Sequence, residues 1–427
     1  MSIYKLFHKL HGMILAVSTV TFACTIATAQ AQESAASNLT EEEIKQIVED
    51  YLAERETKES QEKESANEPK SGTWSDRLSF SGDFQLRHES QFEMEDGDKN
   101  VESMRLRIGA KYKVHEQLEL GGRVVTGDSD NPRSADVGFG DVFDGFPLSL
   151  DLLYLTYRPE WLDGGWITAG KFLHPQYMNP VYGGLVWDGD LQPEGIAAGY
   201  SIDGDGCLEN LTLTGGYYLM DERTVFDDTT VLQLQAASRF RLGENTKLNV
   251  ALGFTKFSDT NTPGDIDFSE SDNFGNATVD VDMDMIADAF VSDFTMLNPV
   301  IALTYDGWKV PVTVSAEYIE NLDAEIDEDS AFSFGFALGT QEEKGDLKAY
   351  YNYQVVEQDA VLSTVAQDDF AFTTNFRGHL IGLSYMFTDN IQLHTWALGA
   401  ERDETSVALG TDDDLQWKLR FDLNILF

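Results

Sequence analysis

From Leu415 to Phe427 the chain reads LQWKLRFDLNILF, with an apolar residue at every odd position and polar residues at five of the six even ones. Period two gives a β-strand with one apolar and one polar face. Thirteen residues is long for a strand in a soluble sheet but suits a tilted strand that crosses a bilayer. The pattern recurs from Leu78 onward. Met104, Leu106, Ile108, Ala110, Tyr112 and Val114 alternate with Ser103, Arg105, Arg107, Gly109, Lys111 and Lys113, and Leu347, Ala349, Tyr351, Tyr353 and Val355 alternate with Asp346, Lys348, Asn352 and Gln354. Read through, the pattern predicts sixteen strands, near 77–89, 101–114, 116–127, 147–158, 164–173, 193–203, 208–220, 229–242, 246–258, 295–306, 308–319, 329–340, 345–357, 374–387, 390–401 and 413–427.

The connections separate two architectures. After even-numbered strands they are brief: His115, PEWLD, DGDG, GEN, Gly307, QEEK and TD. After odd-numbered strands they are longer, and one runs from 259 to 294. Short turns at one end and long loops at the other, with an even strand count, describe a bacterial outer-membrane barrel. Closure leaves no unpaired backbone in lipid. Phe80, Tyr157, Tyr218, Tyr385 and Phe387 near strand ends fit interfacial aromatic girdles. The expected fold is therefore all-β: a transmembrane antiparallel β-barrel of about sixteen strands, with a short N-terminal α-helix. The rival is an exported soluble β-rich binding or adhesion protein without a pore.

The first 75 residues are different. Lys5 and Lys9 precede the apolar run MILAVSTVTFACTIA, and Ala29-Gln30-Ala31 offers small residues for cleavage before Gln32. Residues 1–31 read as a secretory signal peptide. In NLTEEEIKQIVEDYLAERE, Thr40 and Glu43 form a capping box and Ile44, Ile47, Val48, Tyr51 and Leu52 an apolar stripe. Residues 32–75 are thus expected to form a periplasmic helix, a candidate short coiled coil, and a polar linker, with the barrel in 76–427.

Composition adds a sign. The chain has 427 residues, 74 acids against 30 bases and a formal net charge of −44. That balance excludes nucleic acid as a partner, because phosphate binding needs a basic face, and it favours cations in a pore. Yet the polar parity of the first three strands and the last collects Arg77, Arg87, Arg105, Arg107, Lys111, Lys113, Arg123, Lys418 and Arg420. Those strands become neighbours when a barrel closes. They predict either a basic pore wall that shapes the field, or bases paired with lumen acids such as Asp83, Glu119 and Asp422.

The loop after the fifth strand, HPQYMNPVYGGLVWDGDLQPEG, is unusually aromatic for an external loop. Tyr177, Tyr182 and Trp187 suggest that it packs against something. Asp188, Asp190 and Glu194 make it a candidate acidic constriction opposite the basic wall. No chemistry of other kinds is well supported. The histidines lack metal-ligand spacing, DVDMDMIAD at 280–288 lacks the glycine and closing glutamate of an EF-hand loop, and a Ser/His hydrolase would have only His379 and Ser384 to use. Neither an enzyme nor a cofactor or metal site is expected.

WSDRLSFSGDFQLRHES, DNPRS, LDLLYLTYRPEW, ITAGKFLHP and above all GLVWDGDLQPEG resemble a family of Gram-negative porins that carry an N-terminal helical stretch, most strongly from Trp74 to Tyr200. The resemblance implies an outer-membrane channel for passive diffusion of small hydrophilic solutes and ions. It implies a barrel set in outer-membrane lipid and lipopolysaccharide, and a homotrimer. As in outer-membrane proteins generally, the barrel-assembly machinery would read the terminal Phe427. Phosphate-selective porins combine a similar helix with sixteen strands but line the pore densely with lysine or arginine, from which this acidic chain departs.

Overall fold

The computed structural model describes residues 74–94, 97–127, 133–140, 145–222, 227–260, 273–279, 289–404 and 414–427. The expected leader, the N-terminal helix and the acidic 280–288 run fall outside them. Of a first unit, Met1–Ser79, the described part is a 3-10 turn, Trp74–Arg77, and the opening of a strand. The second unit, Phe80–Phe427, is the barrel.

Its strands are β1 (Leu78–Phe92), β2 (Lys99–His115), β3 (Leu118–Thr126), β4 (Leu148–Tyr157), β5 (Gly165–Lys171), β6 (Glu194–Asp203), β7 (Leu208–Asp221), β8 (Thr229–Arg241), β9 (Thr246–Ser258), β10 (Thr295–Tyr305), β11 (Val312–Asn321), β12 (Ser330–Gly339), β13 (Leu347–Val356), β14 (Phe376–Thr388), β15 (Ile391–Arg402) and β16 (Gln416–Leu426). Each pairs antiparallel with the next, and β1 also pairs with β16. The sheet is closed, so every strand has two neighbours and no hydrogen-bonding edge faces lipid.

Closure is fixed at the chain's end. The amide of Gly82 donates to the Phe427 carbonyl (2.7 Å), and the Phe427 amide donates back to Gly82 (3.0 Å). A Cβ on Gly82 would lie 2.6 Å from the Phe427 ring and 2.4 Å from the Arg107 carbonyl oxygen. Glycine is therefore what lets the terminal aromatic lie across β1.

Alternation sorts the side chains as the period predicts. On β12, Phe332, Phe334, Phe336 and Leu338 are exposed, while Ala331, Ser333 and Ala337 are buried. On β14, Ile381, Leu383, Tyr385 and Phe387 point outward, with Leu380, Ser384 and Met386 inside. Exposed apolar residues of this density have no place in a water-soluble sheet but match the lipid-facing band of a barrel.

Two local expectations shift. β11 begins at Val312 rather than near 308, because Asp306–Pro311 forms the turn. Pro311 has no N–H to give a ladder, and Trp308 packs edge-on against Tyr305 (5.1 Å). Tyr218 belongs to no girdle. It is fully buried on the inner face and packs edge-on against Phe172 and Trp187.

The principal apolar core sits inside the barrel. It joins Val181, Leu185, Val186 and Trp187 from the third long loop (172–193, L3) to Val361, Leu362, Val365 and Phe370 from the seventh (357–375, L7). A general diffusion barrel needs only polar side chains in its lumen; here L3 and L7, with Phe290 and Phe294 from the loop after β9, carry hydrophobic side chains into one core.

Candidate functional site

On the wall formed by β16, β1, β2 and β3, Arg87, Arg105, Arg107, Arg123, Lys418 and Arg420 each meet a carboxylate or a carbonyl. Arg105 and Arg107 reach Asp83 (3.3 and 2.7 Å) and also Asp190 of L3 (3.8 and 3.5 Å). Arg87 bridges Asp422 and Asp136, both at 2.7 Å. Arg123 pairs with Asp151, its Nε 2.9 Å from Oδ2. Arg420 is held between Glu89 and Asp369 and lies over the Trp396 ring at 4.8 Å. The Trp396 indole N–H donates to Asp422 (2.9 Å). Lys418 gives its ammonium hydrogens to the carbonyls of Asp369 (3.0 Å) and Phe370 (2.6 Å).

L3 crosses the lumen from its origin between β5 and β6. Its first residues dock on β8: Gln235 accepts from the Tyr177 amide (2.7 Å) and donates to the Tyr177 carbonyl (3.0 Å), and His174 hydrogen-bonds Gln233 (2.8 Å). Val181 then reaches β12, where a Cβ on Gly335 would lie 2.8 Å from its Cγ1. Trp187 stacks between His174 (5.3 Å) and Phe257 (6.5 Å). Such buried aromatic contacts give a loop a fixed position.

L7 meets L3 from the other side. The Asp188 amide donates to the Val365 carbonyl (2.7 Å), Gln367 donates to the Gly183 carbonyl (2.9 Å), and the Tyr182 hydroxyl donates to Asp369 (2.5 Å). Arg133, from the loop after β3, donates to the carbonyls of Ser363 (3.3 Å) and Ala366 (3.0 Å), and lies 3.5 Å from Asp368. Asn276 and Ser292, from the loop after β9, tie down Asp359 and the Val361 carbonyl.

These contacts split two neighbouring acids. Burial alone would raise Asp369, but Arg420 holds its carboxyl below the ordinary value. Among the described residues Asp188 has no such cation. Burial, and then the charges of Asp368 and Asp369, push it up to about 8.

The family model described as "Putative porin" matches residues 94–293 and 247–412, most of the chain. The chain belongs to this porin family. It is an outer-membrane porin, a channel built on a sixteen-stranded barrel. Among solved structures, OmpF of Salmonella typhi in complex with daunomycin is 13% identical, with a TM-score of 0.50 over 83% of this chain and 99% of that one. OprB of Pseudomonas putida, at high pH, is 10% identical, with a TM-score of 0.52 over 82% of this chain and 94% of that one. At such identities the likeness concerns the fold alone. No curated protein matches the sequence.

Within the porin, the expected wall comes together at Arg87, Arg105, Arg107, Arg123, Lys418 and Arg420. Arg77 closes the exposed 3-10 turn ahead of β1. Lys111 is exposed and has no ion pair among the described residues. Of the three acids expected to oppose the wall, Asp190 does so. Asp188 is turned instead into the L3–L7 contact. Glu194 opens β6 with the outward parity of Ile196 and Ala198, exposed and 2.8 Å from Lys171. Period two makes that outcome physical: Glu194 belongs to the strand, not to the loop. His379 and Ser384, five positions apart on β14, lie on opposite faces of the sheet, which removes the hydrolase pair.

The sequence reading missed L7, and with it Asp368, Asp369 and the role of Arg133. A signal was present. DAVLSTVAQDDFAF is as apolar as the stretch that singled out L3, and a solvated external loop has no use for it.

Proposed function

We propose that small hydrophilic solutes and ions cross this porin by passive diffusion, with L3 and L7 together setting the size cutoff, and that cations are modestly favoured. The observation that carries the charge preference is the cancellation of the basic wall. Arg87, Arg105, Arg107, Arg123, Arg133 and Arg420 face Asp83, Glu89, Asp136, Asp151, Asp190, Asp368, Asp369 and Asp422. Paired charges at contact distance leave little field beyond a Debye length of about 8 Å. The net acidity of the chain then governs which ions gather at the mouths.

The working unit in this reading is a homotrimer embedded in outer-membrane lipid and lipopolysaccharide. In the same reading a leader cleaved before Gln32 precedes a periplasmic helix and polar linker in 32–75, a stretch of which only 74 and 75 are described, and the assembly machinery recognises β16 with its terminal Phe427. Support comes from the resemblance of the sequence and from the apolar outward face of β16.

The test is current across a planar lipid bilayer under a KCl gradient, using protein shown to be folded by heat-dependent gel mobility. Stepwise conductance with a reversal potential on the cation side is expected, in groups of three for a trimer. A strongly anion-selective potential would overturn the charge reading. A silent membrane would overturn passive diffusion.

A further inference from the structure

We infer that the solute route runs along the wall opposite the bases, formed by β7, β8 and β9, and that it contains a binding site for uncharged polyhydroxylated solutes of saccharide size. The inference rests on the channel reading above and names the solute class for it.

The two sides of the lumen differ in what they leave free. On the β16–β3 side Arg87, Arg105, Arg107, Arg123, Lys418 and Arg420 are consumed by carboxylates and by carbonyls of L7. Between L3 and the β7–β9 wall lies a cavity of about 320 Å³, at the lower end of the size range of small-molecule sites, roughly 300–1,000 Å³. Asn210, Thr212, Gln235 and Asn249 line it, with Pro175, Gln176 and Tyr177 of L3 across from them and Arg239 as its one charged residue. Amides and hydroxyls each offer both donors and acceptors. A row of adjacent hydroxyl groups, each also a donor and an acceptor, matches that lining. A cationic solute would find no carboxylate in that lining, and an anionic one would find Arg239 alone.

The lining is held in place. Gln235 clamps the backbone of Tyr177 from both sides (2.7 and 3.0 Å). The Thr212 hydroxyl donates to Asn210 (2.8 Å), and Arg239 Nε donates to Asn249 (3.2 Å). Groups fixed before the ligand arrives lose less freedom on binding. A second observation points the same way. Gln176 Nε2 and the Tyr177 hydroxyl are buried with no hydrogen-bond partner, which few buried polar groups in folded proteins are. Both residues also line a second, smaller cavity of about 20 Å³, bordered by Trp187 and Gln233. Polar groups in search of partners thus border both cavities.

The experiment uses glucose and maltose as neutral probes, with gluconate as the anionic counterpart. Each is titrated into full-length folded porin in detergent by calorimetry, and into the bath of a conducting bilayer. Saturable heat and a saturable fall in ion current are expected for the neutral sugars and not for gluconate. Tyr177→Phe is expected to weaken maltose by about two- to tenfold, the range for one hydrogen bond. Asn210→Ala with Asn249→Ala is expected to weaken it by more than tenfold. Gel mobility establishes that each variant is folded. Conductance without any saturable sugar effect would overturn the site while leaving the channel. Sugar heat with a silent bilayer would keep the site and sink the channel. Tighter binding of gluconate than of glucose, lost in Arg239→Gln, would replace the proposal with an anion site.

Discussion

The two sides of the lumen are built from the same kind of strand and do different things. The β16–β3 side is rich in charge and closed. Its arginines act as struts that hold L3 through Asp190 and L7 through Asp369. The β7–β9 side borders an open cavity whose lining carries a single charge, Arg239, and its glutamines hold the root of L3. A dense row of bases is therefore not by itself a selectivity device. A buried arginine with two carboxylates is an anchor, whereas an exposed one such as Arg239 still acts on what passes.

The largest test of this contrast is Arg420→Leu. It leaves Glu89 and Asp369 buried without their cation, a loss of about 3–5 kcal/mol. A drop in the temperature of heat-induced band shift on gels is expected, together with a larger open-channel current as L7 lets go. Replacing Glu89 and Asp369 by leucine in the same protein is expected to restore most of the stability, since apolar isosteres of buried ion clusters are often neutral or better. Continued failure of that triple variant would mean that Arg420 does more than anchor.

Next in size is the pH response of the L3–L7 contact. Asp188 keeps its proton in the folded loop up to about 8 but would lose it near 3.8 when released. Between those values the packed state holds a proton that the released state lacks. The contact is thus strongest below about pH 4, weakens as pH rises toward about 8, and changes no further above that. Amide exchange of residues 182–190 should quicken across that window. Asp188→Asn should flatten the profile, and an unchanged profile would exclude Asp188 as the cause.

Gln235→Leu should cost about 1–3 kcal/mol, because both backbone groups of Tyr177 lose their partner. The effect should be confined to L3, seen as faster exchange at 174–178 with barrel melting unchanged. The smallest effects separate field from fold. Arg239→Gln and Lys111→Gln should each move stability by less than about 0.5 kcal/mol. Only the first, which lines the open cavity, is expected to shift the reversal potential toward cations. Equal shifts from both would contradict the assignment of the route.

Much of this was legible in the chain. Sixteen strands, their order and the side each residue faces follow from period-two alternation, and the long and short connections set the two ends. The aromatic residues of L3 marked it as a packed loop. The errors fell where alternation gave no answer or was not followed through. Glu194 sits on a strand whose parity already pointed it outward, and Tyr218 was assigned by its nearness to a strand end rather than by its face. L7 was passed over although its apolar content matched that of L3.

The sequence by itself determined the barrel, because in a bilayer a strand can only turn its apolar face to lipid and pair its backbone with its neighbours. It also assigned the bases of β16, β1, β2 and β3 to one parity. Only the tertiary structure decided what those bases meet. Arg420 and Asp369 are 51 positions apart, and Arg87 and Asp422 are 335 apart. Such pairs form because closure brings β16 beside β1 and because buried apolar surface draws L3 and L7 inside. Alternation assigns a side chain to a face; it takes the packed loops to determine whether that face meets solute or salt bridge.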